Sequence, residues 1–309
     1  MKLISIISGC FNEAENVEEL VARVEEVMAR FPNYEYEQII IDNASTDGTQ
    51  DVLRKLVATH PKLKVIFNAR NFGHIRSPYH GIMQGKGDVV IYLASDLQEP
   101  PELIPEMIKK WEEGAKAVVA IKNSSEESSL FFGVRRFYYW LVEKLADTKT
   151  IQNFTGFGLY DKMIIEYCRG LQDPYPYFRG MIAEIGLPIE YISYHQPLRQ
   201  RGFTKNNFYT LYDLAMLGIT NFSKVPLRLA AMLGFIMSFL SFLVAMGYFI
   251  YKLLFWHNFS LGTAPLVIGL FLFASVQLFF IGILGEYIGA IHTQVMKRPL
   301  VVEKERLNF

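Results

Sequence analysis

Two stretches near the carboxyl end constrain this chain more than any other feature. Leu229–Tyr251 runs for 23 residues and Phe259–Gly285 for 27 without a formal charge. At about 1.5 Å of rise per residue, each is long enough as a helix to cross a hydrocarbon layer of about 30 Å. Only Lys252–Asn258 separates them, which predicts a hairpin. Lys224 and Arg228 precede it and Lys297, Arg298, Lys304 and Arg306 follow, whereas the link carries only Lys252 and His257. The positive-inside rule therefore sets both ends of the hairpin on the cytoplasmic side. The expected organisation is a cytoplasmic domain over residues 1–205, an interfacial linker over 206–228, the transmembrane hairpin over 229–291 and a cytoplasmic tail over 292–309.

The chain before the hairpin reads as a different material. Lys plus Arg number 31 and Asp plus Glu number 31, so no net basic charge points to nucleic acid. Cys10 and Cys168 are the only cysteines and form neither metal spacing nor a disulfide framework, which predicts two reduced thiols. Short β-branched runs alternate with helical periodicity. Strands are expected at Leu3–Cys10, Glu37–Asp42, Leu63–Asn68, Val89–Leu93 and Ala117–Ile121. Helices are expected at Glu15–Arg30, Thr49–Thr59, Ile75–Gly85 and Glu102–Glu113. That alternation predicts an α/β fold with a doubly wound, mostly parallel sheet. Beyond Lys122 the pattern breaks into a polar loop, Asn123–Ser129, and an aromatic, basic helix, Leu130–Ala146. The latter suits a membrane interface, with a core-packing helix as the alternative. Asn207–Phe222 is similar and leads into the hairpin, which favours an interfacial position. Gly234, Ser238 and Ser241 in the first span permit close helix contacts, compatible with a homo-oligomer.

Four predicted strand ends share one rim of the sheet, where open α/β sheets bind ligands. They present Asn12 and Glu13; Asp42 and Asn43 through Gly48; Asn68 through Gly73 with Arg70; and Ser95, Asp96 and Gln98. Carboxylates and amides suit the ring edge and ribose hydroxyls of a nucleoside, and Arg70 suits a diphosphate. In Asp88–Pro101 an apolar strand delivers Asp96 and Gln98 just before a Pro pair. An acid beside an amide oxygen there can hold a hard cation, and the cation a diphosphate. A capping Asp before a helix is the structural alternative.

These segments carry a resemblance. Ser5–Leu20 (beginning Ser-Ile-Ile-Ser-Gly-Cys-Phe-Asn-Glu), Ile41–Thr49, Ala69–Gly73 and Asp96–Pro101 resemble the signatures of family 2 glycosyltransferases with the GT-A fold. Arg199–Lys205 (Arg-Gln-Arg-Gly-Phe-Thr-Lys), Gly218–Leu229 and Gly282–Gly289 followed by Lys297-Arg298-Pro299 narrow the likeness. They resemble the polyisoprenyl-phosphate glycosyltransferases, which include bactoprenol glucosyltransferases and dolichyl-phosphate mannose synthases. The resemblance implies a GT-A domain followed by interfacial helices and a two-helix hairpin. It implies inverting transfer of a sugar from a nucleotide sugar, a UDP-sugar favoured, to a polyprenyl (undecaprenyl) phosphate at the cytoplasmic membrane face, serving cell-surface glycans.

The implied donor site comprises Asn12, Glu13, Asp42, Asn43, Arg70, Ser95 and Asp96, with Asp42 near the base. Asp96 and Gln98 would hold Mg²⁺ or Mn²⁺. Arg135, Arg136, Arg199, Arg201 and Lys205 would clamp the acceptor phosphate, with Asp96, Arg201 and Lys205 the residues most directly engaged in transfer. A basic face on anionic lipid is the other reading of those cations. Four positions depart from the family pattern. Ala94 replaces the first acid of Asp-X-Asp. Gly156 and Gly158 replace the Asp and Arg of a Thr-Gly-Asp-Phe-Arg-Leu element. Lys122 stands where relatives often carry Arg. Two other functions remain open on sequence alone: transfer to a different lipid-linked acceptor, whose hydroxyl would need a general base, and non-catalytic binding of a nucleotide sugar.

Overall fold

The structure, a computed structural model, describes residues 1–122, 151, 153–197, 216, 225–255 and 263–309. The loop and helix expected over 123–146, most of the interfacial stretch 207–222, and Arg135, Arg136, Arg199, Arg201 and Lys205 lie outside them.

The first half follows the predicted alternation: β1 (Lys2–Cys10), α1 (Val17–Met28), β2 (Tyr34–Asp42), α2 (Thr49–Thr59), β3 (Leu63–Asn68), α3 (Gly73–Gln84), β4 (Val89–Ala94), α4 (Ile104–Glu112) and β5 (Ala117–Lys122). Boundaries move by one to three residues, as frayed ends do. The helix expected from Glu102 instead begins as a 3₁₀ turn at Pro101–Leu103, because Pro101 and Pro105 withhold two amide donors. After β5 come β6 (Phe154–Asp161), α5 (Lys162–Leu171), α6 (Phe178–Glu184), β7 (Ile189–Tyr194), the long helices α7 (Val225–Leu254) and α8 (Thr263–Met296), and β8 (Glu303–Leu307).

The eight strands form one sheet in the order β7-β5-β6-β4-β1-β2-β3-β8. β1 pairs in parallel with both β2 and β4, and β2 with β3. Ile4, Ile6, Ile7, Ile39, Ile40 and Ile41 are fully buried, as expected of central parallel strands covered on both faces. One face packs Leu20, Val24 and Val27 of α1 with Met107, Ile108 and Trp111 of α4. The other packs Tyr79 and Ile82 of α3 with Ile164, Ile165 and Cys168 of α5 and Ile182 of α6.

Three strands, β6, β7 and β8, go beyond the sequence expectation, and two of them change how the sheet is read. β6 inserts between β4 and β5, antiparallel to both, so the two are not neighbours. An antiparallel insertion leaves no trace in βα alternation, and the glycines of Phe154-Thr155-Gly156-Phe157-Gly158-Leu159 depress strand propensity. Gly158 is required there: a Cβ would sit 2.5 Å from the carbonyl oxygen of Val118 on β5. Relatives' Arg therefore has no counterpart on this backbone.

The residues read as a cytoplasmic tail, 292–309, end in a strand that returns to the domain. β8 pairs antiparallel with β3 and covers its outer edge. Glu305 makes a two-pronged pair with Arg54 at 2.8 and 2.6 Å, Glu303 pairs with His80, and Arg76 donates to the Pro299 carbonyl. Ion pairs fix this strand where side-chain propensity does not, which is why Glu-Lys-Glu-Arg-Leu is unreadable as a strand by composition.

α7 and α8 are long and apolar enough to cross a membrane. Both outrun the charge-free segments that predict them, by about one turn for α7 and by eleven residues, Glu286 to Met296, at the end of α8. Phe235, Phe239, Leu266, Leu278 and Phe279 are exposed along their length.

Candidate active site

The strand order 3-2-1-4 places a topological switch point between β1 and β4, the place where a doubly wound sheet opens a crevice. A cavity of about 350 Å³ lies there, the size range of small-ligand sites. Cys10, Phe11 and Glu13 after β1 form one wall, and Ala94, Ser95 and Asp96 after β4 another. Asn43, Asn71, and His74 and Pro78 of α3 close it. The two strand ends are locked in register, with Gly9 opposite Ala94 and the Ser95 N–H donating to the Gly9 carbonyl at 3.3 Å.

Of the residues expected to bind the donor, Glu13, Asn43, Ser95 and Asp96 line this cavity. Asn12, Asp42 and Arg70 belong to the loops around it. Asn12 adopts a left-handed backbone (φ 56°), donates its N–H to Ser45 Oγ at 2.8 Å and accepts the Thr46 N–H at 2.8 Å. It thereby pins the β1 loop to the β2 loop. Asp42 is wholly buried, and its carboxylate accepts from the Ser45 N–H and from Gln50 Nε2 at 2.7 Å. Burial pushes that carboxyl above its usual range, against those hydrogen bonds. Arg70 lies over the Phe72 ring at 4.1 Å and donates to the Asn71 carbonyl.

Asn43 is the hub of the third wall. Its Oδ1 accepts from the Phe72 N–H at 2.8 Å and Asn68 Nδ2 at 3.2 Å, while its Nδ2 donates to Asn71 Oδ1 and the Gly73 carbonyl. Cys10 and Cys168 are both free and buried. Burial, reinforced by Asp42 and Glu13, raises the Cys10 thiol well above its usual range, so it is a packing residue rather than a nucleophile.

The β4 exit carries the residues expected to meet a metal. Asp96 Oδ1 accepts the Gln98 N–H at 3.1 Å, a self-closed turn helped by the left-handed Leu97 (φ 60°). Gln98 Nε2 donates to the Pro197 carbonyl at 3.2 Å, which orients the amide and leaves Oε1 as its acceptor. Ser95 Oγ is buried beside the Cys10 thiol, with no oxygen or nitrogen partner among the described residues.

Sequence reasoning passed over Glu99. It is almost wholly buried, and its carboxylate accepts the Ala94 N–H at 2.7 Å and the Thr155 hydroxyl at 2.6 Å. It ties both ends of the Asp96 turn to β6. Burial pushes the Glu99 carboxyl up to about 7, against those two hydrogen bonds. The signal was an acid set directly before Pro-Pro at a strand end.

Comparison with known proteins now identifies the domain. Residues 5–169, more than half of the chain, match the profile of glycosyl transferase family 2. The chain belongs to that family. Residues 225–291 of this glycosyltransferase match a second profile, the GtrB C-terminal hairpin, which coincides with α7 and α8. A prophage-derived bactoprenol glucosyl transferase of Shigella flexneri is 32% identical over 98% of this chain and 97% of its own. A prophage bactoprenol glucosyl transferase homologue of Escherichia coli K12 is 29% identical over 97% and 98%. Among solved structures, glucosyl-3-phosphoglycerate synthase of Mycobacterium tuberculosis, crystallised with UDP, superposes with a TM-score of 0.51. It is 16% identical and covers 71% of this chain and 78% of its own, a likeness of fold alone. The GT-A expectation is met, and the enzyme is a glycosyltransferase.

Proposed function

We propose that this enzyme transfers a sugar, with inversion, from a nucleotide sugar to the phosphate of a polyprenyl carrier at the cytoplasmic face of the membrane. A UDP-sugar is the favoured donor, and cell-surface glycan synthesis or modification the purpose. The observation that carries this reading is a physical link between the catalytic domain and the hairpin. Gln294, in the last turn of α8, donates to Asp173 Oδ1 at 3.1 Å, in the loop between α5 and α6. A site held against the end of a membrane helix suits an acceptor that lives in the bilayer. The near-full-length likeness to bactoprenol glucosyl transferases supports the same choice.

In this reading the nucleoside lies along Glu13 and Asn43, with Asn12, Asp42 and Arg70 shaping the rim around it. The diphosphate lies toward Ser95 and Asp96. The residues present fit a divalent cation: Asp96 lines the cavity, the Ser95 hydroxyl stands beside it, and Gln98 offers an amide oxygen. Mg²⁺ accepts such a sparse set because it keeps several waters and often uses one or two carboxylates. When bound, Mg²⁺ or Mn²⁺ would supply charge compensation for the departing nucleoside diphosphate.

The acceptor needs positioning more than activation, since a phosphate monoester is largely ionised at neutral pH. Arg135, Arg136, Arg199, Arg201 and Lys205 are proposed to hold it against the donor's like charge. Gly156 and Gly158 leave β6 without the acid and base that relatives carry there, and an ionised phosphate does not require them.

The full chain in lipid nanodiscs, given Mg²⁺, undecaprenyl phosphate and radiolabelled nucleotide sugars, should form a labelled, lipid-soluble phosphosugar. Label confined to a hydroxyl acceptor, or binding of nucleotide sugar without turnover, would overturn the proposal.

A further inference from the structure

A second cavity, of about 70 Å³, adjoins the donor site through a common wall of His74, Pro78 and Tyr92. It runs from that wall beneath α3 to the start of α6. Its chemistry differs from that of the donor cavity. Ile75, Ile82, Tyr79 and Phe178 make it apolar and aromatic, and Arg179 supplies a full positive charge at one side. The Arg179 guanidinium is anchored by one bond, Nη1 to the Phe154 carbonyl at 3.1 Å, and stands 5.9 Å from the Tyr177 ring centre. Among the described residues, four of its five N–H donors remain for other partners.

Gly156 keeps this space open. Its backbone is left-handed (φ 108°), and a Cβ there would face the Tyr92 ring at 3.7 Å. A carboxylate at this position, expected from the Thr-Gly-Asp-Phe-Arg-Leu pattern, would add an acid to the lining of the second cavity. Its absence leaves Arg179 as the charged group of that lining. The loop that forms the far wall, ending in Pro176 and Tyr177, is the one that Asp173 ties to Gln294 of α8. The cavity therefore lies between the donor site and the membrane helix.

The geometry points to this cavity as the acceptor-phosphate subsite: Arg179 holds the phosphate monoester of the polyprenyl carrier, and the hydrocarbon chain leaves past its aromatic rim. The inference rests on the function proposed above and adds a residue and a place to it. A cation beside apolar walls matches an amphiphile whose head is anionic and whose tail is hydrocarbon. A free sugar hydroxyl would find little there to bond. The shared wall lets the acceptor oxygen approach the donor's sugar from the side opposite the nucleotide, as inversion requires. The bond formed is phosphate oxygen to anomeric carbon. The bond broken is anomeric carbon to the donor's diphosphate oxygen, and the nucleoside diphosphate leaves with the electron pair.

The test uses the full chain in nanodiscs, varying undecaprenyl phosphate and UDP-sugar independently. Arg179→Ala should raise KM for undecaprenyl phosphate about 10- to 100-fold, the scale of hydrogen bonds to a charged group, and leave the Kd for UDP within about twofold. Arg179→Lys should recover part of the loss. Ile75→Trp, which fills the cavity without touching the cation, should raise the same KM and again spare UDP. Wild-type transfer with an unchanged acceptor KM in Arg179→Ala and Ile75→Trp would overturn the subsite while the proposed function stood. Equal loss of UDP and acceptor binding, with a lowered melting temperature, would show that Arg179 acts only through folding. Absence of transfer to undecaprenyl phosphate by the wild type would remove the proposed function and the subsite with it.

Discussion

At Ala94 the side-chain carboxylate of Asp-X-Asp is missing, and Glu99 reaches the same turn from the other end. It accepts the Ala94 N–H and also the Thr155 hydroxyl, so it braces the loop that carries Asp96 without lining the cavity. Glu99→Ala should leave both donors buried without an acceptor, at a cost of about 1–3 kcal/mol each. A lowered melting temperature together with a weaker Mn²⁺ affinity, read by electron paramagnetic resonance, is the expected result. Asp96→Asn acts differently: kcat should fall about 1,000-fold while the melting temperature stays near wild type. Both carboxylates sit within one short stretch, yet only Asp96 was legible as a site residue. Glu99 takes its meaning from Thr155 of β6, a partner far away in the chain. Asp42 shows the converse. A carboxylate at a strand end was readable, but its complete burial and its bonds to Ser45 and Gln50 were not. Those partners come from the following turn and helix, whose return onto the strand end is a tertiary fact.

At the scale of elements, Asp161 joins four pieces of structure. It ends β6, caps α5 through the Met163 N–H, and accepts from Trp111 Nε1 of α4 at 2.9 Å and from Lys116 Nζ, just before β5, at 3.0 Å. Burial opposes its ionisation, but these bonds outweigh burial and hold its carboxyl below the usual range. A carboxyl whose folded value is lowered adds stability above its unfolded pKa, and that stability is lost as pH falls through the folded value. Melting temperature measured from about pH 7 down to about pH 3 should therefore fall on the acid side. Asp161→Asn should show a lower plateau at neutral pH and a shallower acid decline. The β-branched strands and helical faces of the first half were legible because each repeats a local period. β6 and β8 were not, because one depends on two glycines fitting against a neighbour's backbone and the other on ion pairs with residues far away in the chain.

The molecule as a whole is a loop closed on itself. The chain leaves the domain, makes the apolar hairpin, and returns to pair β8 with β3 at the far edge of the sheet. Gln294 and Asp173 add a tie near the cavity, and Ala69 N–H to the Val302 carbonyl adds another at the edge. Such ties restrict how the hairpin can move against the catalytic rim. Deleting residues 300–309 should expose the β3 edge and the surface that Val301 covers, costing about 3 kcal/mol by apolar burial. The variant should melt earlier and pair with other chains through the bare strand, visible as a shift in its size-exclusion profile. The hairpin was the most readable part of the sequence, since length and lack of charge suffice to find it. Its return to the domain needed the fold.

One measurement reaches the central claim, that the crevice between β1 and β4 holds an activated sugar through Asp96 beside a membrane helix. A structure of the full chain in nanodiscs with UDP and Mn²⁺ would locate both. The account predicts the manganese peak at Asp96, bridging to the diphosphate, with the uracil toward Asn43. A nucleotide bound elsewhere, or manganese held without Asp96, would contradict it.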